Sequence, residues 1–292
     1  MDFDRFVSQA WDDHADDSPA VAARLQDQAL ALVTESAQVP RLAHLAHHVL
    51  GEHLGRWDDG LRFLRQLASL PACSSQADVA QGVRRHVASL QLAAGQADPR
   101  AAFDASERIR ITALAAGDLA SHDAPRAAAL LEDALAQSEQ ADLPASDLSH
   151  RVLAVTGNGI AGTLEEKPQR SDVERGLMIR AAQVARRHWA LAGTWLETER
   201  AEYRLARTWL QAGDKVQARQ HAQNCLEIVQ AHDNVPLEAF FGWEVLGLVE
   251  RAAGNAAGHA QALQNAQAAF QALQTDDQGW CRPSLDALVK LG

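Results

Sequence analysis

The sequence predicts an all-α protein, an α-solenoid of about six antiparallel helical hairpins with terminal capping helices. Composition, recurrent helix punctuation and the spacing of that punctuation each point there. Hydrophobic residues fill 47% of the 292 positions but aromatics only 5%. Ala, Leu, Gln, Glu and Arg are abundant, and these lose least on entering a helix. Val, Ile and Thr, from which sheets are built, are thin.

The punctuation recurs along the chain. Turns fall at Gly55-Arg56-Trp57-Asp58, Gly95 to Pro99, His122 to Pro125, Lys167-Pro168, Gly213-Asp214 and Gly254-Asn255. Each joins a helix terminator, Gly or Pro, to a residue able to cap the next helix. Capping boxes mark two starts, Ser171 with Glu174 and Thr194 with Glu197. From 55 to 254 the mean spacing is about 40 residues, as expected of hairpin repeats. It is uneven between 95 and 170, where helix lengths must vary. The clearest hairpins are 194–212 with 214–232 and 236–253 with 255–273.

Three segments follow. Residues 1–35 read as one or two acidic capping helices, 36–275 as the repeat array, and 276–292 as a C-terminal cap. In that last segment Arg282-Pro283-Ser284 should start a short helix from Leu285 to Leu291.

Trp243-Glu244-Val245-Leu246-Gly247, followed by Gly254-Asn255, resembles the tetratricopeptide repeat pattern. The preceding unit, with Leu205-Ala206, Trp209, Gly213-Asp214, Ala218, Ala222 and Cys225, is similar to it more loosely. The period exceeds the usual ~34 residues, as in longer-period bacterial repeats. The resemblance implies close packing of helices through small residues and a concave face lined by first helices, used for binding a protein or peptide.

The formal charge of −11 excludes binding driven by nucleic-acid phosphates. It is unevenly spread. The first 17 residues hold six Asp against Arg5, whereas 170–219 holds nine Arg and one Lys against six acids. That asymmetry permits self-association as a homo-oligomer, a sign-specific partner, or an acidic 12–17 stretch lying in a basic groove. Cys73, Cys225 and Cys281 are odd in number and widely spaced, which suits buried, reduced thiols and a cytoplasmic protein. No signal-peptide pattern opens the chain, no apolar run suits a membrane helix, and scarce Lys with abundant Ala suggests a bacterial source.

Four groups of residues carry chemistry or could imitate it. Arg200, Arg204, Arg207 and Gln211 fall within a sector of about 60° at 100° per residue. Guanidinium groups so arrayed could grip carboxylates of an acidic segment bidentately, with Tyr203 beside them as an amphipathic contact. A solvated stripe paired with Glu197 and Glu199 is the plainer alternative. Glu202 projects to the apolar side of the same helix, where Arg180, Arg186 or Arg187 must partner it.

Within His44 to His53, the residues His44, His48 and Glu52 recur at i, i+4 and i+8, one helical ridge able to share a metal ion. This motif supports an alternative function as a metal- or ligand-binding sensor; a polar face with His47 partly buried, or a pH-sensitive surface, are the others. Gly157-Asn158-Gly159-Ile160-Ala161-Gly162 matches a dinucleotide fingerprint. It lacks flanking strands and an acid about 20 residues on, so a close-packed helix over 147–165 is the preferred reading. Trp11 and Trp280 lie near the ends as candidate exposed anchors. No nucleophile motif is present. The function expected is therefore a non-catalytic interaction scaffold, with no cofactor required.

Overall fold

A computed structural model describes residues 2–290, and within them the chain is all-helical, with no strand and no cis peptide bond. It divides into two compact units, Met1–Val152 and Leu153–Gly292.

The first unit contains α1 (Phe3–Asp13), α2 (Ser18–Gln28), a 3-10 turn (Ala29–Leu32), α3 (Gln38–Ala46), α4 (Trp57–Ala68), α5 (Pro71–Ser74), α6 (Ala77–Ala93), α7 (Ala105–Leu119) and α8 (Ala124–Ala141). Its helices start where the caps allow. The side chains of Asp2, Asp17, Asp104 and Asp123 each accept a hydrogen bond from an otherwise orphaned first-turn N–H. Of the acidic 12–17 stretch, Asp17 is thus a cap and Asp13 pairs with Arg24 at 2.7 Å. Phe3, Phe6 and Leu25 from α1 and α2 join Leu42, Leu45, Leu50, Phe63, Leu64 and Leu90 in one apolar core.

One departure from regular helix decides the local chemistry. Beyond α3 the chain continues as a π turn, His47–His53. Leu54 N–H donates to the Val49 carbonyl, five residues back, at 3.2 Å. A π turn brings residues five apart onto one side, where an α-helix would splay them.

The second unit takes in the greater part of α9 (Leu148–Glu165), then α10 (Asp172–Ala192), α11 (Trp195–Ala212), α12 (Lys215–Ala231), α13 (Pro236–Ala252), α14 (Ala256–Gln271) and α15 (Thr275–Lys290). Both capping boxes form, with Ser171 and Glu174 opening α10 and Thr194 and Glu197 opening α11. Gly213 closes α11 at φ 89°, a left-handed backbone that a side chain would strain. Consecutive helices pack as pairs, α11 on α12 and α13 on α14. Small residues on α13 admit its other neighbours: a Cβ on Gly242 would stand 2.8 Å from Leu226 of α12, and one on Gly247 3.0 Å from Leu288 of α15.

The expected short C-terminal helix is replaced by a longer one. α15 begins at Thr275 and runs through Pro283. Proline there removes only one intrahelical bond, and buried Cys281, Leu285 and Leu288 hold both sides of it against Phe240 and Phe270. Leu291 lies outside the described residues.

Candidate functional site

The second unit holds a pocket of about 370 Å³ bounded by α11, α13 and α15, with Asn158 of α9 at its edge. Leu237, Phe241 and Trp280 make its apolar side, and Asn158, Glu199, Arg200, Tyr203, Arg204 and Glu238 its polar side. Spacing by three and four along α11 puts Arg200, Arg204 and Arg207 on one face, and buried carboxylates meet each of them. Arg200 Nη2 is 2.6 Å from Glu238 Oε1, and Arg204 Nη1 is 2.7 Å from Glu165 Oε2. Arg207 lies 3.9 Å from both Glu165 and Glu244, and donates to the Tyr203 hydroxyl at 3.2 Å. That hydroxyl in turn donates to Glu244 at 3.3 Å. Gln211 is exposed and accepts from Arg170 at 3.1 Å.

The three guanidinium groups are therefore matched within the unit. An incoming carboxylate would meet cations that already have partners, and the most accessible is Arg200, whose side chain is 57% exposed. Glu199 is the unusual group. Burial pushes its carboxyl up to about 8, the Cys225 thiol donating at 2.7 Å opposes the rise, and Glu238 adds to it. No donor reaches its buried Oε2, as suits a protonated acid facing the Glu238 carboxylate. Glu202 is held by Arg186 at 2.5 Å, His221 at 2.7 Å and Asn224 at 3.2 Å. Burial pushes its carboxyl upward, but these donors outweigh it and leave the net shift downward. Of the three arginines offered for Glu202 by sequence, Arg186 makes the pair.

In the first unit the histidine-rich segment assembles differently from the expected ridge. His48 Nδ1 bonds Glu52 at 2.5 Å, but the second imidazole against His48 is His53, with the two Nε2 atoms 3.0 Å apart. The π turn causes this, since 48 and 53 are five residues apart. His14, at the end of α1, brings its ring centroid within 5.1 Å of His48 and 5.2 Å of His53. His44 is exposed on the outer side and rests on Trp11, centroids 5.3 Å apart. Trp11 is thereby half-buried among His14, His44 and His48, which corrects the expectation of an exposed anchor.

Beneath this layer His47 is fully buried. Its Nε2 bonds Ser89 Oγ at 2.8 Å and lies 3.2 Å from Asp118 Oδ2, out of line for a hydrogen bond. Burial opposes charge on His47, but Asp118 and Glu52 hold its pKa above the ordinary value. Burial likewise raises Asp118.

No family model matches the chain, and no curated protein does. Local geometry must therefore carry the functional reading. The glycine fingerprint lies wholly inside α9, so the strand-to-helix turn that would cradle a pyrophosphate is missing there. Gly157 serves close packing instead: a Cβ would lie 2.6 Å from the Ala181 carbonyl oxygen. Sequence reasoning found Arg200, Tyr203, Arg204 and Arg207 but not Glu165, Glu238 and Glu244, their partners from other helices. Trp280 stood out as an exposed anchor and is 65% exposed, though its association with Phe241, 5.1 Å away, depends on how α15 packs. His14 and His53 were missed as partners of His48, and only their residue type signalled them.

Proposed function

We propose that this chain is a non-catalytic protein-interaction module whose second unit receives a segment of a partner protein at the α11–α13–α15 pocket. On this reading its paired helices are long-period, tetratricopeptide-like repeats in a cytoplasmic protein. One observation carries it: Trp280, 65% exposed, packs at a tilt against Phe241 beside Leu237 over a floor of matched ion pairs. A large aromatic left in water beside polar groups is the usual anchor of a binding surface. The matched charges make the apolar wall the main source of affinity and leave Arg200 to orient an acidic residue next to the inserted side chain.

Affinity capture from native lysate with the wild type, Trp280→Ala and Arg200→Glu, all of equal helicity, tests this. A protein held by the wild type and lost from both variants supports the pocket. Equal capture by all three removes it. Capture of further copies of the same chain alone would make the partner a second molecule, to be followed by sedimentation at two salt concentrations.

A further inference from the structure

The histidine layer of the first unit has a property that neither a solvated face nor a core needs. Hydrogen bonding occupies the Nδ1 of three imidazoles and leaves their Nε2 atoms as the nitrogens open to a ligand. His14 Nδ1 faces the Trp11 carbonyl at 2.6 Å, an acceptor only, so that nitrogen carries the proton. His48 Nδ1 faces the Glu52 carboxylate at 2.5 Å, with the same consequence. Ser18 donates its hydroxyl proton to the His14 carbonyl at 2.6 Å, so at its 3.5 Å contact with His53 Nδ1 it accepts. His48 and His53 bring their Nε2 atoms within hydrogen-bonding distance of one another, 3.0 Å apart. A proton on either Nε2, or a metal ion shared by the two, joins the pair.

One ring nitrogen from each of His14, His48 and His53 can lie within 4.8 Å of the other two. Three imidazoles, each with its second nitrogen tied to a carboxylate, a carbonyl or a hydroxyl, are how proteins orient histidines toward a metal ion. Backbone carbonyl, carboxylate and hydroxyl here come from α1, the π turn and the start of α2, so the orientation is built by three segments.

We propose that His14, His48 and His53 bind one divalent transition-metal ion of zinc-like preference through their Nε2 atoms, with a fourth position open to solvent. Imidazole ligands select this class over calcium or magnesium, which prefer oxygen. Three protein ligands with an open fourth position suit tetrahedral zinc. Glu52, Ser18 and the Trp11 carbonyl act as positioning groups. The ion would also clamp α1 to the π turn. This inference is independent of the pocket in the second unit.

The test uses the full chain without an affinity tag, stripped with chelator and dialysed free of it. Calorimetric titration with zinc chloride should show a single saturable equivalent at micromolar metal, with a rise in melting temperature. His53→Ala, at an exposed position, and His14→Ala should each lose that binding, whereas His44→Ala, a neighbour outside the triad, should keep it. Cobalt should give the intense visible bands of tetrahedral coordination. Copper should quench the fluorescence of Trp11, whose ring is 5.2 Å from both His14 and His48, and Trp11→Phe should lose that quench while retaining zinc. Absence of saturable binding by the folded wild type overturns the proposal. So does unchanged binding in both His14→Ala and His53→Ala, or equal loss in His44→Ala with helicity preserved.

Discussion

Replacing Glu199 by Gln reads the interior of the second unit directly. Glu199 is 1% exposed, and burial, reinforced by Glu238, places its carboxyl at about 8 against an ordinary 4.5. The folded chain thus keeps a proton at neutral pH that the unfolded chain releases above about 4.5. A raised carboxyl pKa gives stability that is complete below the unfolded value and is lost as pH climbs toward the folded value. The window runs from about 4.5 to 8, with a slope of at most about 1.4 kcal/mol per pH unit. Between pH 5 and pH 8 the wild type should lose roughly 4 kcal/mol through this one group.

Gln has the shape of the protonated acid, can accept the Cys225 thiol bond and can donate to Glu238. The variant should therefore lack this part of the pH dependence. Urea unfolding followed by circular dichroism at pH 5, 6, 7 and 8 gives the comparison, since all other titrating groups cancel in the difference. Wild type and Glu199→Gln should be similar near pH 5, with the variant increasingly the more stable toward pH 8. Parallel stability curves across that range would refute the protonated-acid assignment.

Other consequences are equally direct. Gly157→Ala should destabilise by about 1–3 kcal/mol, because its Cβ would lie 2.6 Å from the Ala181 carbonyl oxygen. Gly159→Ala, with nothing within 4 Å, should be neutral or stabilising by up to about 1 kcal/mol; the reverse order in thermal melts would undo the packing role of that glycine. Arg186→Met should cost about 1–3 kcal/mol by stripping one donor from buried Glu202, while His221 and Asn224 limit the damage. A variant as stable as the wild type in urea would mean the pair contributes nothing. Neither NAD nor ATP should shift the melting temperature, and a rise with either would return the Gly157–Gly162 segment to consideration.

Much of the architecture is legible in the chain. Helix class, both capping boxes, the glycine stop at 213 and the last two hairpins depend on residues within about four positions of each other, and short-range rules reach that far. The burial of Glu202 was legible too, because period fixes the side of a helix on which a residue lies. The length of α15 was not, since Pro283 is a strong local stop signal overridden by the packing of Cys281, Leu285 and Leu288.

The candidate sites divide along the same line. From sequence came the arginine stripe, the histidine-rich segment and Trp280 as an anchor, because residue type and helical period suffice for each. Tertiary structure alone decided that Glu165, Glu238 and Glu244 neutralise the stripe, since those carboxylates arrive from other helices. It also decided that His48 meets His53 and His14 rather than His44. A change from the α to the π period moves a residue five places on to the same side, and His14 is brought up by packing between segments far apart in the chain. Local preference sets which faces a helix has; only the packed neighbours set what each face meets.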